Sequence, residues 1–386
     1  MALYLLNYIY IHLNRLYLLN LMKSITLYTE LELRAQTAYA QLYDAALAAE
    51  HFRSIADLKG SFNAKTVKGI TYWYYQYKEP SGKLHQVYVG PDNEAVAALR
   101  QRKKAASATQ SLGPLARAAA ALGCAEITFK HARVLSRLSE YGFFKAGGVL
   151  IGTHAFLGYG NMLGVRWRES DRTEDVDFAH AGRSLSIALP TNLQLSTDGA
   201  IDSLNMGFLP TSSLSANQGG TYLNPNEPTF RLDFLMPRNR DGEKPFLHPK
   251  LGVYMQPLPF IEYSLENLKQ AVLFSGETVI LVNVPDPARY ALHKLIVYGE
   301  RSGEFRTKGV KDLRQSAALL SFLATNYRSD VDNAWKDLVS RGKGWRARVR
   351  AGLDALCARF PDLDAAKLLP LPEVKAKAAG RRKKPS

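Results

Sequence analysis

The sequence predicts an α+β protein: a mixed sheet with flanking helices, preceded by a helical region with a β-hairpin insert and followed by a second helical region. Three observations carry that expectation. Apolar residues recur at helical spacing toward both ends of the chain, and short aromatic or β-branched runs bounded by turn residues fill its middle. One further pair of such runs interrupts the first helical region, and no repeat period appears.

Composition sets the outer bounds. With 386 residues, of which 46% are apolar and 22% charged, the chain has the make-up of a folded protein, which excludes wholesale disorder and a multi-span membrane chain. At ~100–200 residues per domain, two or three domains are expected. Only two cysteines, Cys124 and Cys357, are present and they lie far apart. That excludes a disulfide-rich scaffold and an all-cysteine zinc site, and points to a reducing cytoplasm.

Lysine and arginine exceed aspartate and glutamate by 50 − 35 = 15. Six of those bases (Lys375, Lys377, Arg381, Arg382, Lys383 and Lys384) fall in the tail 369–386, which reads as disordered. The remaining excess suits phosphates or nucleic acid, although net charge reports solubility equally well.

The first 21 residues are rich in Leu, Tyr and Ile, but Asn7, His12, Asn14, Arg15 and Asn20 interrupt the run. A signal peptide wants a basic start and a small-residue cleavage site, and a spanning helix needs ~20 mostly apolar residues. Residues 1–21 are therefore read as a spurious leader, with Met22 as the start and no membrane partner.

Residues 22–140 form the first helical region. Thr29 and Glu32 have capping-box spacing, and Tyr39, Leu42, Tyr43, Ala46 and Leu47 then repeat on one helical face. That stripe reads as core. The hairpin, about 69–89, joins Gly69–Lys78 to Leu84–Val89 through Glu79-Pro80-Ser81-Gly82, and Asp92 or Asn93 caps a helix reaching Arg100, Arg102, Lys103 and Lys104. Its aromatics and bases either bind nucleic acid, by stacking and phosphate neutralisation, or pack a small sheet on the neighbouring helix. Leu115–Leu122 and Thr128–Leu138 complete this region as helices.

The core spans 141–286. Phe143–Thr153 is an apolar, strand-like run punctuated by glycines, and His154–Leu157 is helix-compatible. A strand, a glycine turn and a helix aim backbone N–H groups at an anion. Short strands follow at Thr173–Phe178, Phe230–Leu235 and Thr278–Val284, before the C-terminal helical region 287–368 with helices at Ala288–Val297 and Lys311–Tyr327.

Chemistry concentrates in Thr173-Glu174-Asp175-Val176-Asp177-Phe178. On a strand, Asp175 and Asp177 project from one face while Val176 and Phe178 enter the core. Two adjacent carboxylates are costly without a cation between them, and hard oxygen ligands of this kind suit magnesium bound to substrate phosphates. A third carboxylate, Asp233, sits on the apolar run Phe230-Arg-Leu-Asp-Phe-Leu235. His154 and His293 read as structural residues, Asp171 and Glu174 as solvated neighbours, and Asp198, Asp202, Glu262 and Asp286 as turn or strand-end residues without distinguishing context.

These segments resemble the nucleotidyltransferase fold of the DNA polymerase beta superfamily, and within it a bacterial nucleotidyltransferase-like group. Ile151-Gly152-Thr153 matches the glycine turn, Asp175-Val176-Asp177-Phe178 the paired carboxylates, and Asp233 the third. The run Thr173–Asp177 also looks like the motif of bacterial toxin–antitoxin nucleotidyltransferases, and Pro287–Leu295 resembles a helical motif in which a lysine, here Lys294, faces the nucleotide phosphates. The resemblance covers roughly 141–301, with an insertion around Gly160–Ser170.

The resemblance implies transfer of a nucleoside monophosphate from NTP to an acceptor hydroxyl on RNA, a protein or a small molecule. Asp175, Asp177 and Asp233 are its expected catalytic and metal-binding residues, holding two Mg2+ or Mn2+ ions ~3.5–4 Å apart. Gly152, Thr153, Thr173 and Lys294 are its expected nucleotide-binding residues. The alternative is a non-catalytic nucleotide- or nucleic-acid-binding module of a defence or toxin–antitoxin system.

Overall fold

The computed structural model describes residues 27–52, 60–78, 84–107, 112–168, 173–180, 195–212, 218–238, 244–300 and 306–370. The expected leader, the start at Met22, the hairpin turn at 79–82, Asp171 and the tail beyond 370 lie outside the described residues. Among the described residues two compact units emerge, one within 27–293 and one within 294–370.

The larger unit opens on a short strand rather than a helix. β1 (Tyr28–Glu30) pairs antiparallel with β6 (Val165–Trp167), and helix α1 (Leu33–Phe52) begins only afterwards. Thr29, expected to cap that helix, sits opposite Arg166 in the strand pair. Pairing with β6 satisfies backbone groups that a single capping side chain would leave open. The stripe on α1 is core as expected: Tyr39, Leu42 and Ala46 pack with Val272, Phe274 and Leu281.

The hairpin is a three-stranded antiparallel sheet, because β2 (Gly60–Val67) adds to β3 (Ile70–Lys78), whose other edge carries β4 (Leu84–Pro91). Lys68 and Gly69 join β2 to β3 with φ of 50° and 78°, the left-handed pair that a tight two-residue hairpin turn requires. Asn93 Oδ1 accepts from Val96 N at 3.0 Å, capping α2 (Glu94–Ser107) as expected. Helices α3 (Gly113–Ala121) and α4 (Phe129–Glu140) follow.

The central sheet has the order β11-β12-β10-β7-β5, with β9 on β10 and β8 beyond it. Its members are β5 (Gly148–Leu150), β7 (Val176–His180), β8 (Leu209–Ser212), β9 (Gln218–Asn224), β10 (Glu227–Pro237), β11 (Phe246–His248) and β12 (Val253–Leu258). β7 and β12 run parallel to β10, whereas β5 and β9 are antiparallel to their neighbours, so the sheet is mixed. Along β10, Phe230, Leu232, Phe234 and Met236 are buried while Arg231, Asp233 and Leu235 are only half-buried, the period of two that presents one face to the core. Phe178 and Phe234 stack with centroids 5.0 Å apart beneath the sheet.

The expected strand over Phe143–Thr153 shortens to β5. Phe143 folds back over Gly148, where a Cβ would meet its ring at 2.2 Å, so the first half of the run is a turn. The expected insertion is ordinary structure through residue 168: helix α5 (Gly152–Leu163) and then β6, which returns to β1. Short helices α6 (Thr197–Asp202) and α7 (Ile261–Leu265), the hairpin β13 (Leu268–Ser275) and β14 (Thr278–Pro285), and the start of α8 (Pro287–Glu300) complete the unit.

The second unit continues α8 into α9 (Arg306–Asn326), α10 (Arg328–Ser340), α11 (Lys343–Arg359) and α12 (Ala365–Leu368). Gly352 brings α11 onto α8 so closely that a Cβ would lie 2.2 Å from Leu295 O. No helix among the described residues is long and apolar enough to cross a membrane.

Candidate active site

The site starts where β5 hands the chain to α5. Gly152, the first residue of that helix, has φ of +63°, a left-handed backbone that disfavours any side chain. A Cβ there would lie 2.0 Å from Asp177 Oδ2. Ile151 N donates to Asp177 O at 3.0 Å, and Gly152 O accepts from the Tyr290 hydroxyl at 2.8 Å, so the turn is fixed on both sides. The carboxylate of Asp177 therefore lies against the N-terminal end of a twelve-residue helix, where the helix dipole favours negative charge. Thr153 is buried within the first turn.

Parallel pairing of β7 with β10 assembles the rest. The register sets Leu232 opposite Val176, Asp233 opposite Asp177 and Phe234 opposite Phe178. Since alternate residues share a face, Arg231 and Asp233 rise beside Asp175 and Asp177 while Val176, Phe178, Leu232 and Phe234 fill the core. Thr221 on β9 stands opposite Asp233 and donates its hydroxyl to Oδ1 at 2.7 Å.

Arg231 stands among the three acids. Its Nη2 donates to Asp175 Oδ2 at 2.9 Å, and its Nε is 3.2 Å from Asp233 Oδ2. Partial burial pulls the guanidinium pKa down, but Asp233, Asp175 and Asp177 together leave it above its ordinary value. The side chains of Arg231, Asp175 and Asp233 keep 32%, 25% and 17% of their surface, so solvent reaches the cluster.

A second polar group borders it. Lys130 pairs with Glu174, and with Glu227 at 2.9 Å, while its ammonium lies 4.8 Å from the Phe230 ring centroid. Glu174 is exposed, as its reading as a solvated neighbour requires, and is also an ion-pair partner whose carboxyl Lys130 holds below the usual range. Beneath lies His131, buried, with Nδ1 2.7 Å from the Thr128 hydroxyl and its ring edge-on to His154 at 4.6 Å. Burial, reinforced by Lys130, lowers the His131 pKa to about 4.

Of the residues singled out from sequence, Asp175, Asp177, Asp233 and Gly152 meet at the junction of β7, β10 and α5, with Thr153 next in the chain. Thr173 directs its hydroxyl to Asp175 O at 3.4 Å. Lys294, in the C-terminal unit, holds Asp312 Oδ1 at 2.7 Å. His154 and His293 are buried, as their structural reading requires. Asp286 has more context than its sequence suggests: Oδ1 accepts from Ala288 N and Arg289 N at 3.0 and 3.2 Å, capping α8. Sequence reasoning missed Arg231, Thr221 and Tyr290, whose partners are distant in the chain.

The donor chemistry suits a hard divalent cation, since the cluster offers three carboxylates and neither nitrogen nor sulfur. As they stand, however, no three His, Cys, Asp or Glu side chains among the described residues are gathered as a metal-ligand group.

A glycine turn opening a helix, set against carboxylates at paired strands of an α+β fold, is an arrangement that suits the binding of phosphates. Matching a family model gives the class: the nucleotidyltransferase model matches residues 130–340, more than half of the chain, and the chain belongs to that family. An antigenic nucleotidyltransferase-like protein from Paracoccidioides brasiliensis, known from its crystal structure, is similar at 17% identity over 59% of this chain and 95% of that one, with a TM-score of 0.29 too low to bear on the fold. None of the curated proteins compared with the chain matches it.

Proposed function

We propose that the protein transfers a nucleoside monophosphate from NTP to an acceptor hydroxyl in a reaction dependent on Mg2+ or Mn2+, with Asp175, Asp177 and Asp233 as metal ligands. The observation that carries this reading is the register of β7 on β10, which sets Asp233 beside Asp177 on the face that Gly152 borders. A bound divalent cation supplies charge neutralisation on the triphosphate and a lower pKa for the attacking hydroxyl. Gly152 and Thr153 receive phosphate oxygens on backbone N–H groups at the start of α5, where the helix end favours anions. Asp233, steadied by Thr221, acts toward the acceptor, and Thr173 and Lys294 serve the nucleotide. The reaction belongs to the cytoplasm.

Single-stranded RNA is the acceptor that the three-stranded sheet favours. Tyr88 lies 6.2 and 5.5 Å from the rings of Tyr72 and Tyr74, and Lys65 Nζ is 4.8 Å from the Tyr74 ring centroid. Tyrosine faces beside lysine suit stacked bases and their phosphates. The same sheet supports a second reading, a nucleic-acid-binding module without catalysis.

The test measures the thermal midpoint with each of four nucleoside triphosphates, with and without Mg2+ or Mn2+, for the wild type and Asp175→Ala/Asp177→Ala. A metal-dependent rise of several degrees that vanishes in the double variant is expected, because a ligand of the folded state must stabilise it. No rise with any nucleotide overturns the enzyme reading. Replacing Tyr72, Tyr74 and Tyr88 by Ala should weaken binding of a fluorescent single-stranded RNA by about tenfold or more, and unchanged affinity removes RNA from that face.

A further inference from the structure

We infer that Arg231 is a built-in counter-ion that holds the acidic cluster together without metal, and that it must leave for a divalent cation to bind. The inference rests on the proposed metal role of the three carboxylates and adds a residue that competes with the cation for them.

The geometry sets up the competition. Arg231 reaches Asp233 Oδ2 on its own strand β10 and Asp175 Oδ2 just ahead of β7, so one guanidinium spans the gap between acids that metal ligation would close. Asp233 Oδ1 already accepts the Thr221 hydroxyl at 2.7 Å, whereas Oδ2 has only the longer 3.2 Å contact with Arg231 Nε and is the less committed oxygen. A metal using Asp233 therefore draws on the oxygen that Arg231 now faces.

Charge explains why a base belongs there. Three carboxylates around one small volume repel one another, and a single guanidinium reduces the cluster from three negative charges to two. Arg231 can also leave at modest cost, since it is about one-third exposed and its long stem can carry the head to solvent. A triphosphate offers the displaced fork a new anionic partner, because guanidinium groups pair readily with phosphate oxygens. Nucleotide and metal should then bind cooperatively, each drawing Arg231 out of the other's way.

The experiment is Mn2+ binding to the full chain without nucleotide, read by calorimetry and by loss of the free-ion electron paramagnetic resonance signal. Arg231→Gln should bind Mn2+ about tenfold more tightly than the wild type, within the usual range of such couplings. Lys130→Gln, which removes a neighbouring charge that pairs with Glu174 and Glu227, should change affinity less than about twofold as expected of an exposed pair. Arg231→Lys is the second variant should the first fail to fold; it keeps the charge but loses the two-pronged reach, and should still bind more tightly than the wild type.

Equal affinities in the wild type and the Arg231 variants overturn the inference and leave the metal reading standing. Equal gains in the Lys130 and Arg231 variants also overturn it, since the effect would then be a general field. Absence of Mn2+ binding in every variant overturns the metal reading together with the inference. A nonhydrolysable ATP analogue should raise Mn2+ affinity in the wild type and do so less in Arg231→Gln; equal enhancement in both counts against the exchange.

Discussion

Gly152 and Asp177 share a space with no room for a methyl group: a Cβ on the glycine would sit 2.0 Å from the carboxylate Oδ2. The left-handed φ of +63° disfavours a side chain independently. Gly152→Ala should therefore cost about 1–3 kcal/mol from backbone strain alone, and it should also displace Asp177. Chemical denaturation gives the first quantity. Nucleotide-dependent thermal stabilisation gives the second, and a variant with wild-type values for both would show that the turn is slack.

Thr221 fixes the rotation of the Asp233 carboxylate through one hydroxyl at 2.7 Å. Thr221→Val keeps the shape of the side chain and removes the donor, at a cost in stability of about 1 kcal/mol. The larger effect should fall on turnover, with Thr221→Ser restoring it. Full activity in the valine variant would mean that Asp233 needs no orientation.

Acid should destabilise the larger unit through its buried histidines. His131 and His248 both have pKa values lowered to about 4, chiefly by burial. Unfolding restores an ordinary value near 6.5, so the unfolded chain binds more protons than the folded one between pH 6.5 and 4. Stability is then fully present above about pH 6.5 and falls as pH drops toward 4. Replacing His131 by Phe should flatten the pH dependence of the urea midpoint over that window, and an unchanged slope would exclude His131 as a source.

Tyr39 ties α1 to the hairpin that carries its core face. Its hydroxyl donates to Val272 O at 3.2 Å and accepts from Val272 N at 3.0 Å, in a fully buried setting. Removing it with Tyr39→Phe leaves a buried backbone donor and acceptor unsatisfied, which should cost about 1–3 kcal/mol. Equilibrium unfolding should show that loss with little change in nucleotide binding.

What could be read from the chain follows from how local its causes are. Alternation along Asp175-Val176-Asp177-Phe178 and along Phe230–Met236 is written in adjacent residues, so the facing of each acid was legible. Arg231 stood in plain sight two places before Asp233, yet its partner Asp175 is 56 positions away and depends on strand register. β1 was missed because three residues form a strand only through β6, and the capping pattern at Thr29 offered a local answer that pairing overrode. β2 escaped because Gly60-Ser-Phe-Asn-Ala-Lys-Thr-Val lacks the aromatic run of its neighbour.

The parallel pairing of β7 with β10 also has a temporal side. Residues in register there are 56 apart, with β8 and β9 made in between, so a growing chain exposes Asp175 and Asp177 well before their neighbour strand exists. Until β10 arrives, the two acids lack the guanidinium that joins them to Asp233. Long-range closure of this kind delays the final pairing, and the site should come into being with the last cooperative step of folding rather than accumulate piece by piece.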